Sequence, residues 1–217
     1  MGFGNLRPWI LILALGAAGA ANLAGAQSLQ ESWRAALEGD LPTVQRLVER
    51  GNSPDSSDAE GSTLLMFAAR GGHAGVVSYL IAQKASVNGR NKFGDTALMA
   101  AALGGHIEAA KVLLANGAEM NPAGWTPLHY AAFEGRVNMV KFLLENGANK
   151  NAIAPNEYTP LMLAVRNGHE EAAKALLYSD SDVNYKTRSA GDSALTLAVK
   201  KGYEPVVTLL KRAGAVE

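Results

Sequence analysis

The chain has 217 residues, no cysteine, and 20 basic against 20 acidic side chains, so its formal charge is zero. That balance lacks the basic excess of a nucleic-acid binder. The missing cysteine excludes disulfides, thiolate chemistry, cysteine-held zinc and a lipid-modified cysteine anchor.

Residues 1–26 read as a secretory signal peptide rather than as part of the fold. Arg7 gives a weakly positive start, Trp9 to Ala18 is a short apolar run, and Ala24-Gly25-Ala26 is a small-x-small cleavage site before Gln27. The apolar run is shorter than the roughly 20 residues that span a bilayer. A single arginine fits the general export route rather than the twin-arginine one. No N-x-S/T sequon with an allowed middle residue follows. The expected compartment is therefore a bacterial periplasm, with secretion second. After cleavage past Ala26 the chain has 19 bases and 20 acids, since the leader holds Arg7 and no acid.

A repeat begins after the leader. Leu29 to Leu37 reads as a helix, Gly39-Asp40 as a turn, and Thr43 to Arg50 as a second helix. This incomplete unit, 29–57, has one neighbour and is expected to act as a cap. Full units follow at 58–90, 91–121, 122–152, 153–186 and 187–217. Each opens on a threonine or serine with leucine two residues on: Thr63 and Leu65, Thr96 and Leu98, Thr126 and Leu128, Thr159 and Leu161, Ser193 and Leu195. A glycine stands nine residues after each, at Gly72, Gly105, Gly135, Gly168 and Gly202. Apolar pairs come next, from Leu80-Ile81 through Leu143-Leu144 to Leu209-Leu210. A fixed period of this size means stacked supersecondary units. Threonine is placed to cap orphan amides, and proline fits the first helical position in Thr126-Pro127 and Thr159-Pro160. Gly51, Gly117 and Gly147 fit left-handed helix ends. Lys84 and Asp180 replace that glycine, so those two ends are expected to be looser or shaped differently. Gly105 to Gly135 is only 30 residues, and the loss falls between Asn121 and Gly124. That spacing predicts a shortened finger with Trp125 beside the notch.

The string Gly124-Trp125-Thr126-Pro127-Leu128-His129-Tyr130-Ala131-Ala132, followed by Gly135, Leu143-Leu144 and Asn146-Gly147-Ala148, resembles the ankyrin repeat. The other units carry degenerate forms of it. The resemblance implies an all-α solenoid of about six helix-turn-helix units with short β-hairpin fingers, and no enzymatic activity.

Candidate chemistry is sparse. His73, His106 and His169 follow turn glycines and His129 lies in the Thr-Pro-Leu-His string, so a structural hydrogen-bonding role is expected for all four. One repeat width, about 10 Å, also separates them too widely for one metal. His169-Glu170-Glu171-Ala172-Ala173 lacks the second histidine of a zinc helix. Asp180-Ser181-Asp182 opens like a calcium loop, but Tyr185 and Gly191 occupy the positions that need glycine and glutamate. No catalytic residue, metal or cofactor is expected.

By the same resemblance, the inner groove is formed by residues after the Ala-Ala pair and at the finger tips. These supply the candidate partner-binding set: Arg70, Phe93, Leu103, Trp125, Phe133, Tyr158, Arg166 and Lys200. Aromatic and arginine side chains of this kind dominate interface energies. The expected function is a protein-protein interaction scaffold in the periplasm. It is monomeric, binds another protein, and touches neither nucleic acid nor, once the leader is removed, a membrane. An inhibitor or immunity protein that blocks an exported enzyme or toxin is the alternative. A ligand-binding protein or enzyme is a third reading, disfavoured because no acid, base and metal cluster together.

Overall fold

The structure is a computed structural model and describes residues 20–216. The leader residues 1–19 lie outside the described residues. Twelve α-helices follow one another: α1 Ala20–Glu38, α2 Leu41–Glu49, α3 Leu64–Gly71, α4 Ala74–Ala82, α5 Ala97–Gly104, α6 Ile107–Ala115, α7 Pro127–Phe133, α8 Val137–Glu145, α9 Pro160–Arg166, α10 Glu170–Leu177, α11 Ala194–Lys201 and α12 Glu204–Arg212. The odd-numbered helices stack in one row and the even-numbered helices in a second, each pair closing one repeat. The result is a helical solenoid of repeats. Among the described residues none of these helices is long and apolar enough to cross a membrane.

The first helix of each full repeat starts for the same local reason. Thr63, Thr96, Thr126, Thr159 and Ser193 are extended and accept a hydrogen bond from the amide three residues on, at 3.2–3.4 Å. Each bond satisfies one of the amides that a helix start leaves open. The turn after the first helix needs a left-handed residue and a bare backbone at once. Gly72 has φ +81°, and a Cβ there would come within 2.4 Å of the His106 ring.

Two registers build the core. The leucine after each cap is Leu65, Leu98, Leu128, Leu161 or Leu195, and all are buried. Ala68, Ala101, Ala131, Ala164 and Ala198 follow three residues later, also buried, and their small size lets neighbouring first helices approach closely. Eight residues after the turn glycine, Leu47, Leu80, Leu113, Leu143, Leu176 and Leu210 seal the second row. In the last repeat the pair Leu209-Leu210 is shifted by one, and Leu210 alone takes the buried position.

Between repeats, the fingers are turns tied by side chains. The β pairing among the described residues is one bridge, Ser57 with Thr63. A ladder of amides runs across their bases. Asn88 Nδ2 donates to Gly117 O at 2.8 Å and its Oδ1 accepts from Glu119 N at 2.8 Å. Asn121 repeats both bonds, to Gly147 O at 2.9 Å and from Asn149 N at 2.7 Å. Asn184 does the same with Gly214 O and Val216 N. Asn151 accepts from Asp182 N, and Asp55 accepts from Ser86 N. Histidines add a second set of ties, since Nε2 of His73 lies 2.9 Å from Leu37 O and Nε2 of His169 lies 2.9 Å from Phe133 O.

The ends at Lys84 and Asp180 are not reshaped. Both residues adopt the left-handed conformation that glycine takes elsewhere, with φ 70° and 57°. Lys84 N still bonds Ile81 O at 2.9 Å, and Asp180 N bonds Leu177 O at 3.0 Å. The bonds that close the helix override the side chain's preference, and the cost appears as backbone strain. Lys84→Gly and Asp180→Gly are each expected to raise stability by about 0.5–1 kcal/mol in chemical denaturation.

Candidate interaction groove

The face formed by the first helices and the finger bases carries the candidate residues. Seven residues after each cap, one column of side chains runs along it: Arg70, Leu103, Phe133, Arg166 and Lys200. The first four are half-buried and Lys200 is exposed. This column lies at the C-terminal end of each first helix, past the buried positions of that helix.

Arg70 and Leu103 meet in one small pit, with Met66, Met99, Ala100 and Tyr130 around it. Desolvation by burial lowers the Arg70 guanidinium below its ordinary value, and the Glu134 carboxylate partly offsets this. The Tyr130 hydroxyl donates a short bond to Asp95, which the Asn91 amide also holds, so the finger base is locked to the next repeat. Phe93 sits at the tip of that finger, half-buried, in a turn where Asn91 Oδ1 accepts from Phe93 N and Asp95 N at 2.9 Å each. Phe93 and Leu103 stand apart from the main core cluster, whereas Trp125 and Phe133 pack against it.

Trp125 folds onto its own first helix. Its ring lies 5.6 Å from His129 and 5.7 Å from Tyr130, centroid to centroid. Gly124 beside it has φ +88°, which lets the short finger turn tightly. Tyr158 is a correction to the sequence reading. It is buried at 8% exposure, and its ring forms the platform for Arg166, whose guanidinium carbon sits 5.5 Å above it. The same register is buried at Ser62 and Asp95, and Tyr158 follows it inward. Tyr158 therefore positions Arg166 and presents no face of its own. Lys200 at the C-terminal end donates to Asp192 at 2.5 Å. Phe133 also offers its carbonyl, which accepts from Asn167 Nδ2 at 2.8 Å.

Glu134 and Asp95 fall at the groove positions the repeat pattern marks, after the Ala-Ala pair and at the finger tips, whereas sequence reasoning missed Tyr130 as a groove group. Tyr130 lies four residues after its cap, a column that holds Phe67, Ala100, Leu163 and Leu197 in the other repeats, so its hydroxyl is the one polar group there. Among the described residues no cluster of three or more histidines or carboxylates is placed to hold a metal ion. The arrangement offers two arginines flanking an apolar centre.

The comparisons with known proteins agree with this architecture. A family model described as ankyrin repeats (3 copies) matches residues 32–123, 83–154, 113–187 and 152–216. Those overlapping matches run through nearly all of the described solenoid, and the chain belongs to the ankyrin repeat family. It is 40% identical over 53 residues to human Ankyrin repeat domain-containing protein 39, a stretch covering 24% of this chain and 29% of that protein. The chain thus matches less than a third of the length of that relative. In structure it is similar to the human ASB11 ankyrin repeat domain, with a TM-score of 0.77, 27% identity, and coverage of 85% of this chain and 84% of that one. Ankyrin repeats are in general protein-protein interaction modules, typically without catalysis.

Proposed function

We propose that the chain is a non-catalytic scaffold that binds one protein partner along the first-helix groove, and that it works in the periplasm after export. The observation that carries the reading is the column Arg70, Leu103, Phe133, Arg166: two apolar side chains held half-exposed between two arginines on one rigid wall. Apolar anchors rimmed by charge are the usual chemistry of binding hot spots. Lys200 extends the cationic side toward the C-terminal end.

The test is a titration of groove variants against the partner recovered by affinity pull-down from a periplasmic extract. Leu103→Ala and Phe133→Ala are each expected to weaken binding by about 2 kcal/mol. Arg166→Glu and Lys200→Glu are expected to weaken it more at low salt than at high salt, because they act through charge. Normal binding by both apolar variants contradicts the groove as the interface.

Export rests on the leader. Helix α1 runs through Ala24-Gly25-Ala26 in the uncleaved chain, and removal after Ala26 retains Ser32, Ala35 and Ala36, its buried residues. Mass spectrometry of the exported protein is expected to find Gln27 as the N-terminus. A membrane-bound chain that retains residues 1–26 contradicts this.

A further inference from the structure

The second-helix face carries a different feature, on the side opposite the groove. Seven residues after the turn glycine, the second helix carries Tyr79, Val112, Phe142 or Leu209 in four repeats. In the fifth, that register holds Ala175. The missing bulk opens a slot of about 630 Å³ between α8 and α10. Leu144 and Ala148 form one side, and Ala175 lies at the bottom, buried. Three residues further on, at the C-terminal cap of α10, Tyr178 stands on the slot's rim and is 85% exposed, the most exposed large apolar side chain among the described residues. A hole and a knob thus lie side by side at the C-terminal end of α10. On the facing helix, Lys141 and Glu145 also line the slot one turn apart. Both are exposed, and neither has an ion-pair partner within 4 Å among the described residues.

We propose that this face is the contact between two copies of the chain. Across a two-fold axis, Tyr178 of each copy enters the slot over Ala175 of the other, and Lys141 of each meets Glu145 of the other. A two-fold interface uses the same patch twice and must be self-complementary. Adjacent knob and hole, and adjacent opposite charges, satisfy that requirement in shape and in charge. The patch is small, so the dimer is weak and concentration-dependent. It leaves the first-helix groove of both copies free, so it is compatible with the binding role proposed above and replaces the monomer suggested by the sequence.

Sedimentation equilibrium of the chain over a wide concentration series tests this. The wild type is expected to move from monomer to dimer, with no larger species. Tyr178→Ala is expected to raise the dissociation constant about tenfold or more. Ala175→Leu fills the slot and is expected to do the same without lowering the melting temperature, since Leu209 occupies that register in the last repeat. Lys141→Glu weakens the pair, and the double exchange of Lys141→Glu with Glu145→Lys restores it. A wild type that stays monomeric throughout overturns the proposal. So does a dimer whose dissociation constant neither Tyr178→Ala nor Ala175→Leu changes, or a double exchange that binds no better than Lys141→Glu alone.

Discussion

Leu143→Ala is expected to destabilise the chain by about 2–5 kcal/mol, the range for a buried leucine whose site cannot collapse. Leu143 is fully buried on α8, beside Met139 and Val140, which are also buried. Helix α8 packs on α7 within its repeat and on α6 and α10 in the flanking ones. The Leu143 carbonyl also accepts from Ala148 N at 2.9 Å, closing the helix end. A repeat array is held by intrinsic and nearest-neighbour terms, so the damage should be local. Hydrogen exchange is expected to accelerate in α5 to α10 before it does in α1, α2, α11 or α12. Lys141→Ala on the exposed side of the same helix should stay within about 0.5 kcal/mol of the wild type. Exchange that rises evenly along the chain contradicts the local picture.

Acid should loosen the middle of the stack through His129. The ring is fully buried, and burial lowers its pKa to about 4 against the opposing effect of hydrogen bonds to the Tyr158 and Ala152 carbonyls. Nε2 donates to those carbonyls at 3.2 and 3.1 Å, while Nδ1 accepts from Thr126 N at 3.1 Å. Protonation would put a second donor against that amide. The unfolded chain, with an ordinary histidine near 6.5, binds more protons than the folded one between the two values. Stability from neutral His129 is therefore complete above about pH 6.5 and is lost as the pH falls through about 4, on the order of 3 kcal/mol in all. The Asp40 and Glu157 carboxyls, lowered by bonds from Thr43 and Ser189, lose their contribution as the pH falls below their ordinary values of 3.8 and 4.5, alike in wild type and in the His129 variant. His129→Met is the control, because Met66, Met99 and Met162 occupy the same register. Denaturant unfolding at pH 7 and 4.5 should show a loss in the wild type that shrinks by most of that amount in His129→Met. An equal pH dependence in both contradicts the assignment.

The repeat register carried most of the fold into view before any coordinate. Thr63, Leu65 and Gly72 recur because each cap, core leucine and turn glycine answers one local requirement, which the sequence states directly. Tyr158 shows the limit. The residue just before each cap recurs in register as Ser62, Asp95, Trp125, Tyr158 and Asp192, but its chemistry changes from repeat to repeat, so its burial could not be read from the pattern. Lys84 and Asp180 fail for a related reason. Propensity speaks against a left-handed lysine or aspartate, but two closing hydrogen bonds at each helix end outweigh it. The asparagine ladder was hidden because single asparagines in loops look like turn formers until Gly117, Gly147 and Gly214 are placed opposite them. The slot at Ala175 needed a comparison down a column, since one alanine in a helix is unremarkable by itself.

The central claim is that the first-helix face, and no catalytic site, is what this chain presents to its partner. Site-specific photo-crosslinking in the producing cells tests it most directly. A photoreactive residue at position 103, and separately at 133, is placed in the groove, and one at Lys111 is placed on the exposed outer side of α6. The account predicts one heterologous protein adduct shared by positions 103 and 133 and missing from 111. An adduct formed only from 111, with none from the groove positions, would contradict it.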